Sequence, residues 1–421
     1  MAKRIVLADP RGFCAGVDRA ILTVQTILKA ASARVDGLPP VYVRRQIVHN
    51  RHVVEDLAAQ GAVFVQELAE IPDEAAAAGI PIVFSAHGVS PQVKAEAARR
   101  GMHVVDATCP LVSKVHREVL RFVREGYEII YIGHRGHDEA VGVVGEDPVH
   151  VHLIEHEADV DSLDFRPEQK LVLLTQTTLS IDETAGTIAA LKCRFPWMKE
   201  PPSSDICYAT SNRQAAVKLV AEQSDSVVIV GSANSSNSVR LMEVAQGALG
   251  ERGRAHRVDD ANELDPSWFD GVEAVGVSSG ASVPDELVAG VIEALRAQGF
   301  TDVSTVETIK ENMHFVLPAE LRRKPSQARQ CACSPHRLWW DEAYSKPYVR
   351  VFNANDGAAT VLGIAAGECS ILAVDGKVTL TGGSAVNADA DGYAAAGLSA
   401  TGAPVGAVAL ADRSRVLAAT P

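Results

Sequence analysis

Three of the seven cysteines, Cys14, Cys109 and Cys207, occupy equivalent places in a recurring pattern. Each lies in a short loop just before a segment whose apolar periodicity predicts an amphipathic helix. The unpaired N–H groups and positive dipole end of a helix N-terminus favour a thiolate, which is the form that binds metals. A lone cysteine is more often a small buried apolar residue, but three in equivalent positions indicate a metal site.

The other four cysteines lack this context, and we interpret them as structural or incidental: Cys193, Cys331, Cys333 and Cys369. The start of the chain shows no secretory-type apolar segment, and no apolar run approaches the roughly 20 residues that span a bilayer. We therefore expect a cytoplasmic protein, in which thiols stay reduced and disulfides are rare.

Polar residues follow six apolar strands, two in each of three predicted units. Near-continuous apolar strands separated by helices indicate parallel sheets, which place ligands beyond the carboxyl ends of their strands. If the three units face each other, one cleft receives His49, His87, His137, Glu139, Thr177, Ser235, Ser236, Asn237 and Ser282. Most of these are neutral donors, which suit the oxygens of a phosphate ester. Neither a Walker A motif nor a GxGxxG motif after the first strand is present, which disfavours a nucleotide.

Each of these clusters also has an ordinary alternative. Ser, Thr and Asn after a strand often cap helices, and a lone histidine usually has no special role. Repetition at six strand ends favours a binding site. We expect Glu139 to be the only carboxylate in this otherwise neutral set, and thus the best candidate for a proton donor. Its alternative is a helix cap or a surface carboxylate.

The three cysteines also predict the architecture. The intervals from Cys14 to Cys109 and from Cys109 to Cys207 are nearly equal, which predicts three α/β units of similar size. A length of 421 residues with 47% hydrophobic and 22% charged residues is typical of a globular protein with several domains. The net charge of -13 disfavours nucleic acid and anionic membranes as partners.

Nine long motifs occur in order along residues 1 to about 324. They are PRGFCAGVDRA, QIVHNRHVV, SAHGVS, DATCPLVSKVH, GHRGHDE, TQTTLS, DICYATSNRQ, GSANSSNS and GASVP. A chain with these motifs resembles the LytB family, also called the IspH family, of 4-hydroxy-3-methylbut-2-enyl diphosphate reductases. The resemblance implies three α/β lobes in a pseudo-threefold trefoil around a central cleft. We expect lobes at 15–108, at 109–206, and at 1–14 together with 207–324.

The resemblance also implies the chemistry. Members of the family hold one 4Fe-4S cluster through three cysteines, here Cys14, Cys109 and Cys207, and one iron stays open for the substrate. The reaction is reductive removal of the allylic hydroxyl of a small diphosphate, with electrons from a ferredoxin or flavodoxin type donor. The implied roles are proton donation by Glu139 through Thr177 and substrate binding by His137 near Thr177. The diphosphate is bound by His49, His87, Ser235, Ser236, Asn237 and Ser282.

The resemblance ends before residues 325–421, which form an unrelated extension. This segment is rich in Ala and Gly, and its seven Lys or Arg against eight Asp or Glu give no basic surface for RNA. Alternation around DG and GG turns predicts a few strands, although disorder and an out-of-frame or fused reading of the gene are alternatives.

Two other functions are open from the residues alone. Three thiolates with a histidine could hold zinc in a hydrolase, and a cluster could serve a redox sensor without catalysis. A zinc protein would be colourless after anaerobic purification, and a sensor would need no diphosphate cleft.

Overall fold

The structure is a computed structural model of the 421-residue chain, and it describes residues 3–31, 39–201, 203–322, 348–352, 359–363, 370–374, 377–381 and 407–409. The chain divides into two compact units, Met1–Arg322 and Arg323–Pro421. None of the helices in the described ranges is long and apolar enough to cross a membrane.

The first unit alternates strands and helices along its length. Its strands are β1 (Lys3–Asp9), β2 (Val41–Arg44), β3 (Ala62–Val65), β4 (Pro81–Phe84), β5 (His103–Asp106), β6 (Tyr127–Ile132), β7 (Val151–Ile154), β8 (Lys170–Thr175), β9 (Ser226–Val230), β10 (Arg254–Val258), β11 (Ala274–Ser279) and β12 (Phe300–Glu307). Its α-helices are α1 (Ala15–Ala31), α2 (Arg51–Ala59), α3 (Asp73–Ala77), α4 (Pro91–Arg99), α5 (Pro110–Arg124), α6 (Asp138–Val144), α7 (Ile181–Arg194), α8 (Tyr208–Glu222), α9 (Ser236–Leu249) and α10 (Asp285–Ala297). Short 3-10 helices cover Leu68–Glu70, Glu157–Ser162, Gly250–Arg252, Ala261–Glu263 and Pro266–Phe269.

The strands of the first unit form three sheets, and every pairing in them is parallel. The strand orders are β3-β2-β4-β5, β7-β6-β8 and β10-β9-β11-β1-β12. The first sheet lies inside the range predicted for the first lobe, the second inside the next, and the third joins β1 to the strands after Cys207. The predicted fold, with three α/β units inside Met1–Arg322, is therefore confirmed, while the exact boundaries of these lobes stay a prediction.

Burial on both faces explains why the central strands are almost continuously apolar. All residues of β2, β9 and β11 are buried, as expected for parallel strands that have helices on both sides. The apolar faces of α1 and α2 pack into the core of the sheet that contains β2, through residues such as Val24 and Leu57. All six strands that the sequence predicted before polar clusters are present as β2, β4, β6, β8, β9 and β11.

The helix starts place the cysteines. Cys109 and Cys207 are the N-cap residues of α5 and α8, and Cys14 directly precedes α1. Pro110 begins α5, where its missing N–H costs nothing. No regular strand stands just before Cys207, in agreement with the weak strand signal there.

The second unit contributes five described strands. They are β13 (Tyr348–Phe352), β14 (Ala359–Gly363), β15 (Ser370–Val374), β16 (Lys377–Thr381) and β17 (Ala407–Ala409). Strands β13 and β14 pair antiparallel, and β15-β16-β17 form an antiparallel sheet. Val374 pairs with Lys377 on either side of the DG dipeptide, so the strands predicted around that turn are present. Cys331, Cys333 and Cys369 lie outside the described residues.

Candidate active site

The three predicted metal ligands are free thiols that are neither fully buried nor exposed. Burial raises the pKa of all three, and for Cys109 and Cys207 it does so to about 12 and about 11. Charge on Cys14 raises the pKa of both other thiols further, so the three lie within electrostatic range of one another. Backbone N–H groups at the helix starts lower these pKa values but do not outweigh burial. The helix ends alone therefore do not create thiolates, and a bound cation must displace the protons.

Gly16 leaves room between the first two cysteines. A Cβ atom at this position would lie 2.7 Å from Sγ of Cys109 and 3.8 Å from Sγ of Cys14. Any side chain at residue 16 would therefore fill the space between two thiols. Three half-buried sulfur donors within electrostatic range of one another, two of them beside a space that glycine leaves open, fit an iron–sulfur group, because such groups are held by cysteine thiolates.

Each cysteine is tied to a loop that carries predicted substrate ligands. The backbone N–H of Cys14 donates to the carbonyl of Ala281, that of Cys109 to Ala86, and that of Cys207 to Thr177, at 3.1, 2.9 and 3.0 Å. Ala281 precedes Ser282, and Ala86 precedes His87. The same bond thus recurs in all three units and couples the metal site to the polar strand ends.

The three predicted histidines form one cluster. The rings of His49 and His87 are stacked, with 3.9 Å between their centroids. The His137 ring lies edge-on to both, at 5.1 Å from His49 and 5.8 Å from His87. Burial lowers the pKa of His87 well below its ordinary value and that of His137 to about 3, and charge on His49 lowers both further. Without an anion, these two rings are neutral.

Asp138 is a second carboxylate at this cluster. Its Oδ2 lies 3.5 Å from Nε2 of His49 and 4.0 Å from Nδ1 of His87, and its Oδ1 binds the Arg45 guanidinium. Burial alone would raise the pKa of Asp138, but His49, His87 and Arg45 hold it well below its usual range. The expectation that Glu139 would be the only carboxylate is therefore wrong.

Glu139 lies one residue further along α6 and points into a different environment. It is 1% exposed, and its two carboxyl oxygens accept hydrogen bonds from the N–H and Oγ1 of Thr177, each at 2.8 Å. Burial raises its pKa to about 7, although the bonds from Thr177 lower it. Neither the helix-cap nor the surface alternative describes this residue, because His137 caps α6 through its ring nitrogen.

The remaining predicted ligands border the histidine cluster. Oγ of Ser282 donates to the carbonyl of His49 at 3.0 Å, and Oδ1 of Asn237 accepts from the N–H of Ala281 at 2.8 Å. Oγ of Ser236 accepts from Oγ1 of Thr178, the residue after Thr177, at 3.1 Å.

Ser235 caps α9 by accepting from the Ser238 N–H, so the capping alternative is also correct for this residue. It is buried at the start of α9, beside Ser236 and Asn237. The structure thus brings the predicted set to one region, and the roles of its members stay predictions.

Several neighbours of this region were missed from the sequence. Oγ1 of Thr210 lies 3.2 Å from Sγ of Cys207. Arg213 is fully buried and donates to the carbonyls of Gly12 and Phe13, which fixes the loop before Cys14. Thr210 and Arg213 belong to the motif DICYATSNRQ, and Asp138 belongs to GHRGHDE. Their place in these motifs was the sequence signal that could have identified them as neighbours of the site.

His49, His87 and Asp138 also form a possible set of metal donors, since one ligand atom of each lies within 4.8 Å of the others. The Arg45 guanidinium already neutralises Asp138, which disfavours a cation there. We therefore consider this cluster an anion site rather than a metal site.

Comparison with protein families places the chain among known sequences. A family model described as LytB protein matches residues 5–296. The 4-hydroxy-3-methylbut-2-enyl diphosphate reductase of Bifidobacterium longum is 84% identical over 329 residues, which cover 77% of this chain and 94% of that protein. The reductase of Mycolicibacterium paratuberculosis is 55% identical over 320 residues, covering 76% of this chain and 92% of that protein.

Solved structures agree with this placement. The structure of the E-1-hydroxy-2-methyl-but-2-enyl-4-diphosphate reductase from Plasmodium falciparum matches with a TM-score of 0.71 and 36% identity, covering 76% of this chain and 97% of that one. The predicted three-unit α/β fold is consistent with this similarity.

Proposed function

The chain belongs to the LytB protein family, and from this premise we propose that it reduces (E)-4-hydroxy-3-methylbut-2-enyl diphosphate. The allylic hydroxyl leaves as water, and the products are isopentenyl and dimethylallyl diphosphate, as in the last step of the non-mevalonate isoprenoid route. The balanced reaction consumes two electrons and two protons. One proton leaves with the water, and the other is added to carbon.

Membership of the family implies an iron–sulfur cofactor. We assign one 4Fe-4S cluster to Cys14, Cys109 and Cys207; the first two border the space beside Gly16, and all three lie within electrostatic range of one another. When bound, the cluster supplies single electrons and an open iron that acts as a Lewis acid. A ferredoxin or flavodoxin type protein is the proposed electron donor, and a cytoplasmic location stays a prediction.

The contact between the cysteine site and the buried acid supports the proposal most directly. The N–H of Cys207 donates to the carbonyl of Thr177, while the N–H and Oγ1 of Thr177 both donate to Glu139. A carboxyl group with a pKa of about 7 is protonated often enough at neutral pH to donate a proton. Thr177 can relay that proton toward a hydroxyl bound beside the cysteines.

The diphosphate group belongs beside the histidine cluster and the N-terminus of α9. His49, His87 and Ser282 are in contact with one another, and Asn237 is connected to them through Ala281. Ser235 and Ser236 stand at the N-terminus of α9, where N–H groups and the helix dipole favour an anion. His137 lies between this group and Glu139, so it reaches the substrate near Thr177.

The test is anaerobic turnover of the hydroxylated diphosphate with an artificial one-electron donor, together with the iron content of each preparation. We expect the wild-type protein and Cys193→Ser to be brown and active, because Cys193 is exposed in α7. Cys109→Ser should lose most of its iron and its turnover. A colourless, iron-free protein with full activity would favour the zinc alternative, and an iron-loaded protein without turnover would favour the sensor.

A further inference from the structure

Asp138 and Arg45 have no role in the function proposed above, yet Asp138 lies beside the histidines assigned to the diphosphate and Arg45 pairs with Asp138. The carboxylate of Asp138 lies between the histidines and Arg45. One of its oxygens faces His49 and His87, and the other binds Arg45. Arg45 and Asp138 are 93 residues apart in sequence, so the pair also joins the first α/β unit to the second.

We propose that Asp138 is a positioning residue that orients His49 and His87 for the diphosphate, and that Arg45 cancels the charge which Asp138 would otherwise present to that anion. This inference rests on the proposed function, because it takes the histidine cluster to be the diphosphate site. It adds two residues of opposite charge to a site whose other proposed ligands are neutral.

The position of the Asp138 carboxylate determines which nitrogen of each histidine ring remains free for the diphosphate. Asp138 faces Nε2 of His49, so Nδ1 is the nitrogen left for the substrate. A neutral imidazole has only one N–H, and it must be protonated to donate to a carboxylate and a phosphate at once. For His87, Nδ1 faces Asp138 at 4.0 Å and Oγ of Ser85 at 3.4 Å, which leaves Nε2. Charge on Asp138 thereby favours the imidazolium form of His87, which can donate to a diphosphate as well.

A carboxylate beside a bound anion weakens binding unless a cation pairs with that carboxylate. Charge on His49 disfavours protonation of the stacked His87 ring, and the Asp138 carboxylate beside both rings opposes that effect. Without Arg45, the same carboxylate would repel the diphosphate. Arg45 is held in place by Glu67, whose Oε1 lies 3.2 Å from its Nη2, and Glu67 also binds Arg44.

The backbone conformation of Arg45 indicates that contacts hold this residue in place. Its φ is +55°, the only left-handed value among the non-glycine residues that the structure describes. This conformation is unfavourable for a residue with a Cβ and persists only where surrounding contacts hold it. The bonds of Arg45 to Asp138 and Glu67, and of its N–H to the Val65 carbonyl, provide that constraint.

The experiment is a charge cycle with three variants, Asp138→Asn, Arg45→Met and the double variant. Inorganic pyrophosphate is the probe, and its dissociation constant is measured on iron-loaded protein by calorimetry, alongside kcat and KM for the hydroxylated diphosphate. Arg45→Met should weaken pyrophosphate binding by roughly tenfold or more, because it leaves Asp138 unpaired beside the anion. Adding Asp138→Asn to Arg45→Met should raise the pyrophosphate affinity again by several-fold. In these variants KM should change much more than kcat.

The pH dependence gives a second readout. Among the described residues, the titratable and charged groups beside His49 or His87 are His137, which caps α6, and Asp138; Arg45 pairs with Asp138, and Glu67 with Arg45. In the wild type, pyrophosphate affinity should fall as pH rises, because a deprotonated His87 ring can no longer donate to Asp138 and to the anion at once. In Asp138→Asn this fall should occur at lower pH, since the carboxylate no longer stabilises the imidazolium.

Arg100→Met is the matched control, since Arg100 also binds an aspartate, Asp73, in the first α/β unit, away from the histidines. It should leave pyrophosphate affinity unchanged. No recovery in the double variant, or an affinity and pH midpoint in Asp138→Asn equal to those of the wild type, would overturn the inference. Failure of the wild type to bind pyrophosphate would instead refute the diphosphate site itself, which separates the two proposals.

Discussion

Glu139 and Asp138 are adjacent in sequence, yet their surroundings change their acidity in opposite directions. Burial raises the pKa of Glu139 to about 7, and none of the ion pairs among the described residues involves it. Asp138 is paired with Arg45 and the histidines, and its pKa lies well below the usual range. Successive residues of a helix point about 100° apart, which lets two neighbours enter two environments. One is suited to donate a proton, and the other to remain an anion.

This difference predicts the pH dependence of turnover. Glu139 can donate only when protonated, and its pKa in the folded protein is about 7 instead of 4.5. We therefore expect kcat to fall as pH rises through 7, by roughly tenfold per unit once the carboxyl is ionised. Glu139→Gln should lower kcat by roughly 100-fold or more, and its residual kcat should not fall as pH rises through 7.

The measurement is kcat at saturating substrate between pH 5.5 and 9, with a dye donor that does not titrate in this range. The control is Glu222→Gln, which changes an exposed carboxylate at the end of α8. Undiminished turnover in Glu139→Gln would refute the assignment of the acid.

At the scale of elements, three helix starts converge on one small space, and the first of them depends on the absence of a side chain. Gly16 is the second residue of α1, and its Cα faces Sγ of Cys109. A helix interior ordinarily favours alanine over glycine by about 1 kcal/mol. At residue 16, close approach to the thiols outweighs this preference.

Gly16→Ala therefore should lose iron even though alanine is the better helix former. The new Cβ would be 2.7 Å from the Cys109 sulfur, and α1 or α5 must shift to relieve the overlap. Iron and sulfide per chain after anaerobic purification check this result, with thermal unfolding of the iron-free protein as a test of the fold.

Gly247→Ala is the matched control for this change. Gly247 lies in α9, and a Cβ there would have no atom within 4 Å. This variant should keep its full iron content and be as stable as the wild type or slightly more stable. Equal iron content in the two variants would show that the space beside Gly16 is not needed for the cluster.

At the scale of the whole chain, every candidate site residue lies in the unit Met1–Arg322. The two reductases compared above have 92–94% of their length matched by only 76–77% of this chain. The additional residues thus do not correspond to a part of those relatives that the reaction requires.

Removal of residues 325–421 should therefore leave kcat/KM within about twofold of the wild type, since all candidate site residues lie in the unit Met1–Arg322. Turnover and iron content of the truncated and full chains, purified side by side, provide the comparison. A tenfold loss of kcat/KM, or loss of iron, would assign the extension a role in the reaction or in holding the cluster.

The sequence alone determined the parts of this protein that local patterns encode. Six strand ends, three cysteines before helices and the DG hairpin of the extension are each specified within about ten residues, and all are present in the structure. The motifs were long enough to indicate the family, because each one combines turn residues, helix starts and polar side chains in a fixed order.

Tertiary structure alone decided the relations between distant segments. Whether Gly16 faces Cys109, whether Arg45 neutralises Asp138, and whether Glu139 is buried against Thr177 depend on how the three units pack. Burial and pairing of charges are properties of that packing, and they set the pKa values on which the chemistry depends. For this reason Asp138 could be seen in the sequence, but its charge at the histidine cluster became evident only when Arg45 was placed beside it.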